Sequence, residues 1–186
     1  LVNGETALET ETGWVSGEGA SYTFTGSQLD PNTSANSFEY TLNEGTKADN
    51  YTINKTEGTL TVTKVETEII ITAASQSRVY NGQALTNANY TYTENVLAEG
   101  DVLTATEEGT ITDYGTEANK VTGYVVMRGE TDVTANYTFG ESVDGVLEIT
   151  KRTVTLKSAD LEKTYDGIAL VNGETALETE TGWVSG

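Results

Sequence analysis

Gly58-Thr-Leu-Thr-Val-Thr-Lys64 and Gly145-Val-Leu-Glu-Ile-Thr-Lys151 are two versions of one segment, 87 residues apart. In each, apolar and polar residues alternate: Leu60 and Val62 in the first, Leu147 and Ile149 in the second. A period of two sends every second side chain to the same face, as in a strand with one buried and one solvated side. The segment therefore predicts a closing β-strand, and its recurrence predicts two related units.

Other pairs follow outward from it. Asn50-Tyr-Thr-Ile53 matches Asn136-Tyr-Thr-Phe139 at an offset of 86. Gly26-Ser-Gln-Leu-Asp30 with Ala35-Asn36 matches Gly109-Thr-Ile-Thr-Asp113 with Ala118-Asn119 at 83. Val79-Tyr-Asn-Gly82 matches Thr164-Tyr-Asp-Gly167 at 85. Short loop insertions account for the drift. Units of about 85 residues are small, with thin cores and modest stability of their own.

A longer repeat encloses these. Leu1 to Gly17, LVNGETALETETGWVSG, returns letter for letter as Leu170 to Gly186, an offset of 169. The simplest reading is one period of a tandem array plus an overlap into the next. Each period then holds two diverged units. One is complete, residues 67–151. Another is residues 1–66, which lack their own opening strand. Residues 152–186 begin the next unit. Ile69-Ile-Ile71 and Val154-Thr-Leu156 are the opening strands. Residues 152–186 thus carry what 1–66 lack, and strand addition from another copy, or from the preceding repeat of the array, is expected to complete the unit.

Composition agrees with sheet. The chain has 34 Thr, 19 Gly and 10 Tyr in 186 residues, with one Pro. β-Branched and aromatic residues fit pleated surfaces, and Gly with Asn or Asp marks turns. Helical periodicity is hard to find. The expected fold class is all-β or β-rich, in small antiparallel or mixed sheets strung as an elongated array.

Formal charge is −19. Without the second copy's three glutamates one period carries −16. Such a surface repels nucleic-acid phosphates and anionic membrane and keeps repetitive protein soluble. There is no Cys and no His, which excludes thiol nucleophiles, disulfides, imidazole ligands and His-based triads. No apolar run approaches the ~20 residues of a membrane span. A chain beginning inside a repeat is not expected to show a signal peptide.

The candidate motifs are mainly structural. Tyr80-Asn81-Gly82 and Tyr165-Asp166-Gly167 supply the positive φ of tight turns, with a Tyr packed at the sheet edge. The alternative is an exposed aromatic for glycan stacking. Trp14, repeated as Trp183, is the other candidate ligand contact. The N-x-Thr/Ser triplets at Asn32, Asn50, Asn54, Asn89 and Asn136 read as strand and turn residues in an Asn- and Thr-rich chain. Asp30 to Asn36 places oxygens at alternate positions, as a calcium loop does. It has Ala35 at position six instead of Gly and Thr41 at position twelve instead of Glu. Carboxylate pairs such as Glu107-Glu108 and Glu9 with Glu11 accompany no nucleophile or base and read as solvated faces. Lysines near Asn or Asp raise the possibility of an isopeptide bond, which an intact mass short by one ammonia or one water would reveal. No metal, cofactor or catalytic constellation is expected.

Together, the Lys163-x-Tyr165-Asp166-Gly167 start, the Gly…Asp…Asn middle, the Asn-Tyr-Thr-Ile/Phe strand and the Gly-x-Leu-x-Ile/Val-Thr-Lys end resemble the MBG or YDG-type repeats of bacterial surface proteins, relatives of the repeats of mucin-binding adhesins. The resemblance implies a β-grasp-like or related all-β module. It implies tandem arrangement on extracellular, cell-wall-attached proteins of Gram-positive bacteria. It carries over no ligand contact, because the shared motifs are turns and strands. The expected function is a non-enzymatic stalk or fibre repeat whose partners are neighbouring copies, head to tail. The alternative is a glycan- or mucin-binding module using exposed Tyr and Trp.

Overall fold

A computed structural model describes residues 4, 7–173 and 176–184 of the chain. The protein is β-rich. Its strands are β1 (Ala20–Phe24), β2 (Asn32–Asn36), β3 (Phe38–Leu42), β4 (Gly58–Val62), β5 (Val65–Ile69), β6 (Ile71–Ala73), β7 (Gln76–Val79), β8 (Tyr90–Tyr92), β9 (Asp101–Glu108), β10 (Gly115–Arg128), β11 (Thr131–Asp132), β12 (Tyr137–Phe139), β13 (Gly145–Thr150), β14 (Thr155–Lys157) and β15 (Thr179–Thr181). Among the described residues the only helical turns are two short 3-10 segments, Ala48–Asn50 and Thr134–Asn136. Contacts divide the chain into two compact units. Unit 1 is Leu1–Glu68 with Asp132–Thr138, and unit 2 is Ile69–Thr131 with Phe139–Gly186.

Unit 2 is built on the long strand β10. Its first residues, Gly115 to Asn119, pair antiparallel with β13, and Lys120 to Arg128 pair antiparallel with β9. The ladder with β9 shifts register between Val121 and Gly123, a bulge that twists the strand as it changes partner. Alternation decides which residues are buried. Leu103 and Val126 face inward, while Val102 faces out. The predicted closing strand β13 buries Leu147 and Ile149 completely and leaves Val146 half exposed. Leu147 and Ile149 join Leu85 in a core against which Tyr80 and Ile111 pack. The free edge of β13 receives β7 in parallel, Leu147 opposite Gln76 through Thr150 opposite Val79.

Residues 69–74 of unit 2 fill a slot. β6 pairs antiparallel with β8, Ile71 opposite Tyr92 and Ala73 opposite Tyr90. On its other side Ala73 N donates to Val143 O at 2.9 Å and Val143 N to Ile71 O at 2.8 Å. Ile69, Ile71 and Ala73 are at most 2% exposed. The inward face of the opening strand is thus fully part of the unit's core.

Unit 1 repeats much of this plan with the long strand divided in two. β2 pairs antiparallel with β4, Asn36 opposite Gly58, and β3 pairs antiparallel with β1, Phe24 opposite Phe38. β2 and β3 thus do separately what the two parts of β10 do in unit 2. The break falls at Ser37, whose carbonyl accepts from Thr25 N and Gly26 N. Beside it Gly26 is required by close approach: an added Cβ would lie 2.7 Å from Ser37 N and 2.9 Å from Asn36 Cα. Gly109 stands in the same relation to Asn119, with Cα 2.9 Å from an added Cβ. The Gly…Asn spacing repeated in the sequence is this backbone crossing.

The segment 152–186 forms an antiparallel pair, Thr155 opposite Thr181 through Lys157 opposite Thr179. Leu156, Leu161, Ile168, Leu170 and Val171 are all exposed.

Candidate functional site

In unit 1 a groove lies over the sheet of β1 and β3. Its floor holds Tyr22, Phe24 and Phe38; Ala7 to Trp14 form one wall and Tyr51 to Thr59 the other. The floor is aromatic because β1 and β3 each send alternate residues inward. Phe38, buried, has the Phe24 ring at 5.9 Å and the Tyr22 ring edge-on at 6.1 Å. Such pairs add to the burial energy of the rings themselves.

The first wall is the first copy of the duplicated segment. Trp14 is half-buried and meets the Tyr51 ring edge-on, centroids 4.8 Å apart. Val15 N donates to the Tyr51 hydroxyl at 3.3 Å, and that hydroxyl donates to Glu18. The bond to Glu18 holds the Tyr51 hydroxyl above the ordinary tyrosine range. Tyr22 donates to Glu11 at 2.5 Å, and burial with this bond raises its pKa too. Glu11 of the duplicated segment and Glu18 just after it thus hold tyrosines of the floor and wall.

On the second wall the Lys55 ammonium sits 4.9 Å from the Phe38 ring centroid, 3.1 Å from Glu57 and 3.6 Å from Glu39. Glu57 also accepts from Ser37 Oγ at 3.1 Å. Lys55 first and Ser37 second hold Glu57 below the usual carboxylate range, and Glu57 raises Lys55. These groups are exposed, so the pair orients side chains more than it stabilises the unit.

The groove has a direct counterpart in unit 2. There the walls are β8 and the Gly140–Val143 stretch, and residues 69–74 lie between them. The counterparts in unit 1 are the segment at Leu8 and the stretch after Ile53. The free edge of β4, which corresponds to the β13 edge that receives β7, meets no strand among the described residues.

The two Tyr-Asn/Asp-Gly motifs make the same turn. Gly82 and Gly167 both have φ of 78°, and the Asn81 and Asp166 side chains accept from the backbone N–H two residues on, at 3.1 and 3.0 Å. Their tyrosines differ. Tyr80 packs on the unit 2 core, whereas Tyr165 is 92% exposed. Trp183 also differs from Trp14. It is 57% exposed and donates its indole N–H to Glu180 at 2.6 Å. The structure does not gather these residues into one site.

The remaining motifs are placed as follows. Asn32 to Asn36 is strand β2. The Asn32 side chain accepts from Thr33 N at 2.8 Å, and Asp30 accepts from Asn136 at 2.7 Å. Among the described residues no three His, Cys, Asp or Glu side chains stand together as metal ligands. Lys163 pairs with Asp166 at 2.8 Å, and Lys157 with Asp160 at 2.9 Å and Glu178 at 2.7 Å, all on exposed surface. Glu107 is partly buried beside exposed Glu108. Three features went unread in the sequence: the aromatic floor, the buried Asn119, and an ion pair between Asp101 and Arg128. The repeated Ala-Asn dipeptides were the available signal for the second.

No family model, curated protein or solved structure matches this chain.

Proposed function

We propose that this chain is a repeat of an extracellular, cell-wall-attached stalk or fibre of a bacterial surface adhesin, of the MBG or YDG type. Its β-grasp-like modules project or polymerise head to tail by strand completion, and it acts as no enzyme. One observation carries the reading: unit 1 keeps a groove over an aromatic floor where unit 2 buries residues 69–74. The segment 152–186 contains the homologous strand, in which Leu156 is exposed and Val154 half-buried. Burying a Val or Leu side chain contributes about 1.5 to 3 kcal/mol, so a slot and strand of this kind favour meeting. The letter-for-letter recurrence of 17 residues supports a tandem origin.

Sedimentation velocity over a wide concentration range tests this. Head-to-tail oligomers growing with concentration are expected. A monomer at every concentration overturns the polymerising reading.

The exposure of Trp183 and Tyr165 favours a second reading, a glycan- or mucin-binding module. A glycan array separates the two. Specific binding lost in Trp183→Ala would make the repeat a binder; no binding on the array leaves the stalk.

A further inference from the structure

We infer that Gly58 is the seat of the incoming strand, and that the strand is Val154 to Ala159 of a second copy, in one register. This rests on the strand-completion reading and specifies its chemistry. The argument starts at Gly145, the homologue of Gly58. Gly145 is opposite Asn119 on β10, and its other side is closed by the end of the opening strand. An added Cβ there would overlap the Ala74 carbonyl and lie 2.7 Å from Ala73 O. Glycine is needed at Gly145 because the opening strand passes directly over it.

Gly58 sits in the same place in unit 1, opposite Asn36 on β2. Yet an added Cβ at Gly58 would meet only Asn36 Cβ, at 3.8 Å, an ordinary contact. Its backbone is not in the left-handed region. Unit 1 as it stands therefore has room for alanine at a position where its filled homologue has none. The glycine suits a completed unit, not the open one.

Homology fixes what passes over it. The Tyr-Asn/Asp-Gly turns align at an offset of 85, which sets Val154, Leu156 and Ser158 on Ile69, Ile71 and Ala73, and Ala159 on Ala74. The same offset carries Tyr92 to Leu177, and the 169-residue repeat carries Leu177 to Leu8. Leu156 of the donor thus comes opposite Leu8 of the acceptor, as Ile71 is opposite Tyr92. Leu156 is 56% exposed in the present chain and faces Glu180, three residues past Leu177. Its pairing with β15 is therefore out of the register unit 2 uses, and it must be exchanged on docking.

Charge fits as well. Residues 1–66 carry ten acidic and three basic residues, whereas Lys151 to Lys163 carries four basic and two acidic. A net positive strand meets a net negative unit, an attraction that salt screens. The second copy of this chain is the occupant these features describe.

The test compares the wild-type chain with Gly58→Ala by sedimentation velocity, with thermal unfolding followed by circular dichroism. The expected result is an unchanged melting temperature with loss of the oligomers. Oligomers undiminished in a folded Gly58→Ala overturn the seat while leaving strand completion standing. A wild type that stays monomeric overturns both. Should Gly58→Ala fail to fold, the premise of free space at Gly58 is wrong and the seat falls with it. The register is tested separately, in a chain free of native Cys, by mixing Leu8→Cys chains with Leu156→Cys chains under mild oxidation. A mixed disulfide dimer is expected. Its absence, with a Glu11→Cys and Leu156→Cys mixture linking instead, overturns the register.

Discussion

The side-chain amide of Asn119 donates to the carbonyl of Ala74 at 3.0 Å, and its second N–H reaches Asn87 O at 2.8 Å. Asn119 is 1% exposed. One side chain thus ties β10 to the turn between β6 and β7 and to the loop before β8, where no ladder joins them. Asn119→Ala leaves two carbonyls without that donor, each worth about 1 to 3 kcal/mol when buried. The expected loss is about 2 to 4 kcal/mol by urea unfolding at constant m. Asn119→Asp sets a carboxylate against two carbonyl oxygens and is expected to cost more. A loss below about 1 kcal/mol for Asn119→Ala would mean that the two carbonyls find other donors.

Asp101 and Arg128 are directly opposed at the end of the β9–β10 ladder and meet through two bonds, Nε to Oδ1 at 2.7 Å and Nη2 to Oδ2 at 3.0 Å. The Asp101 side chain is fully buried, whereas that of Arg128 is 33% exposed. The asymmetry decides which truncation hurts more. Arg128→Met takes both of these bonds from a buried carboxylate, and about 3 to 5 kcal/mol is the usual cost of breaking such a pair. Asp101→Ala leaves a guanidinium that can turn to water, so its loss is expected to be smaller. A reversed order in denaturant midpoints would place the burden on the guanidinium instead.

The strands were legible in the sequence because alternation is a local signal. Leu60, Val62, Leu147 and Ile149 announce themselves by spacing, and the Asn-Gly and Asp-Gly turns by residue type. What was not legible depends on partners distant in the chain. Gly115 to Arg128 and Asn32 to Leu42 are homologous, yet one is a single bulged strand and the other breaks at Ser37, because each follows its own ladders. Asn119 reads as a polar residue in a strand until the carbonyls of Ala74 and Asn87 converge on it. The clearest case is Trp14 and Trp183. Their local sequences are identical, yet one packs on Tyr51 and the other faces solvent with Glu180. Identical letters cannot distinguish those environments. The aromatic floor of the unit 1 groove and the room at Gly58 emerge only from three-dimensional packing.

Glu107 and Glu108 offer a pH test with its own control. Burial pushes the Glu107 carboxyl above its usual range, and its Oε1 meets no hydrogen-bond donor. Glu108, next along β9, is exposed. A carboxyl raised on folding favours the folded state only while protonated. Its contribution is full below the unfolded carboxylate pKa and is lost as pH rises through the folded value. At neutral pH Glu107 therefore opposes folding. Glu107→Gln removes the buried charge and keeps the shape, so its melting temperature should exceed wild type at pH 7 and converge with it in acid. The Gln amide meets the same shortage of partners, but a neutral group costs less to bury than a charged one. Glu108→Gln makes the same change in net charge without the burial. It is expected to shift melting less at pH 7 and to keep the wild-type dependence on pH. Melting curves for the three proteins between pH 4 and 8 measure the difference. Superimposable profiles for the two variants would assign the effect to overall charge repulsion in a chain of −19 instead of to the burial of Glu107.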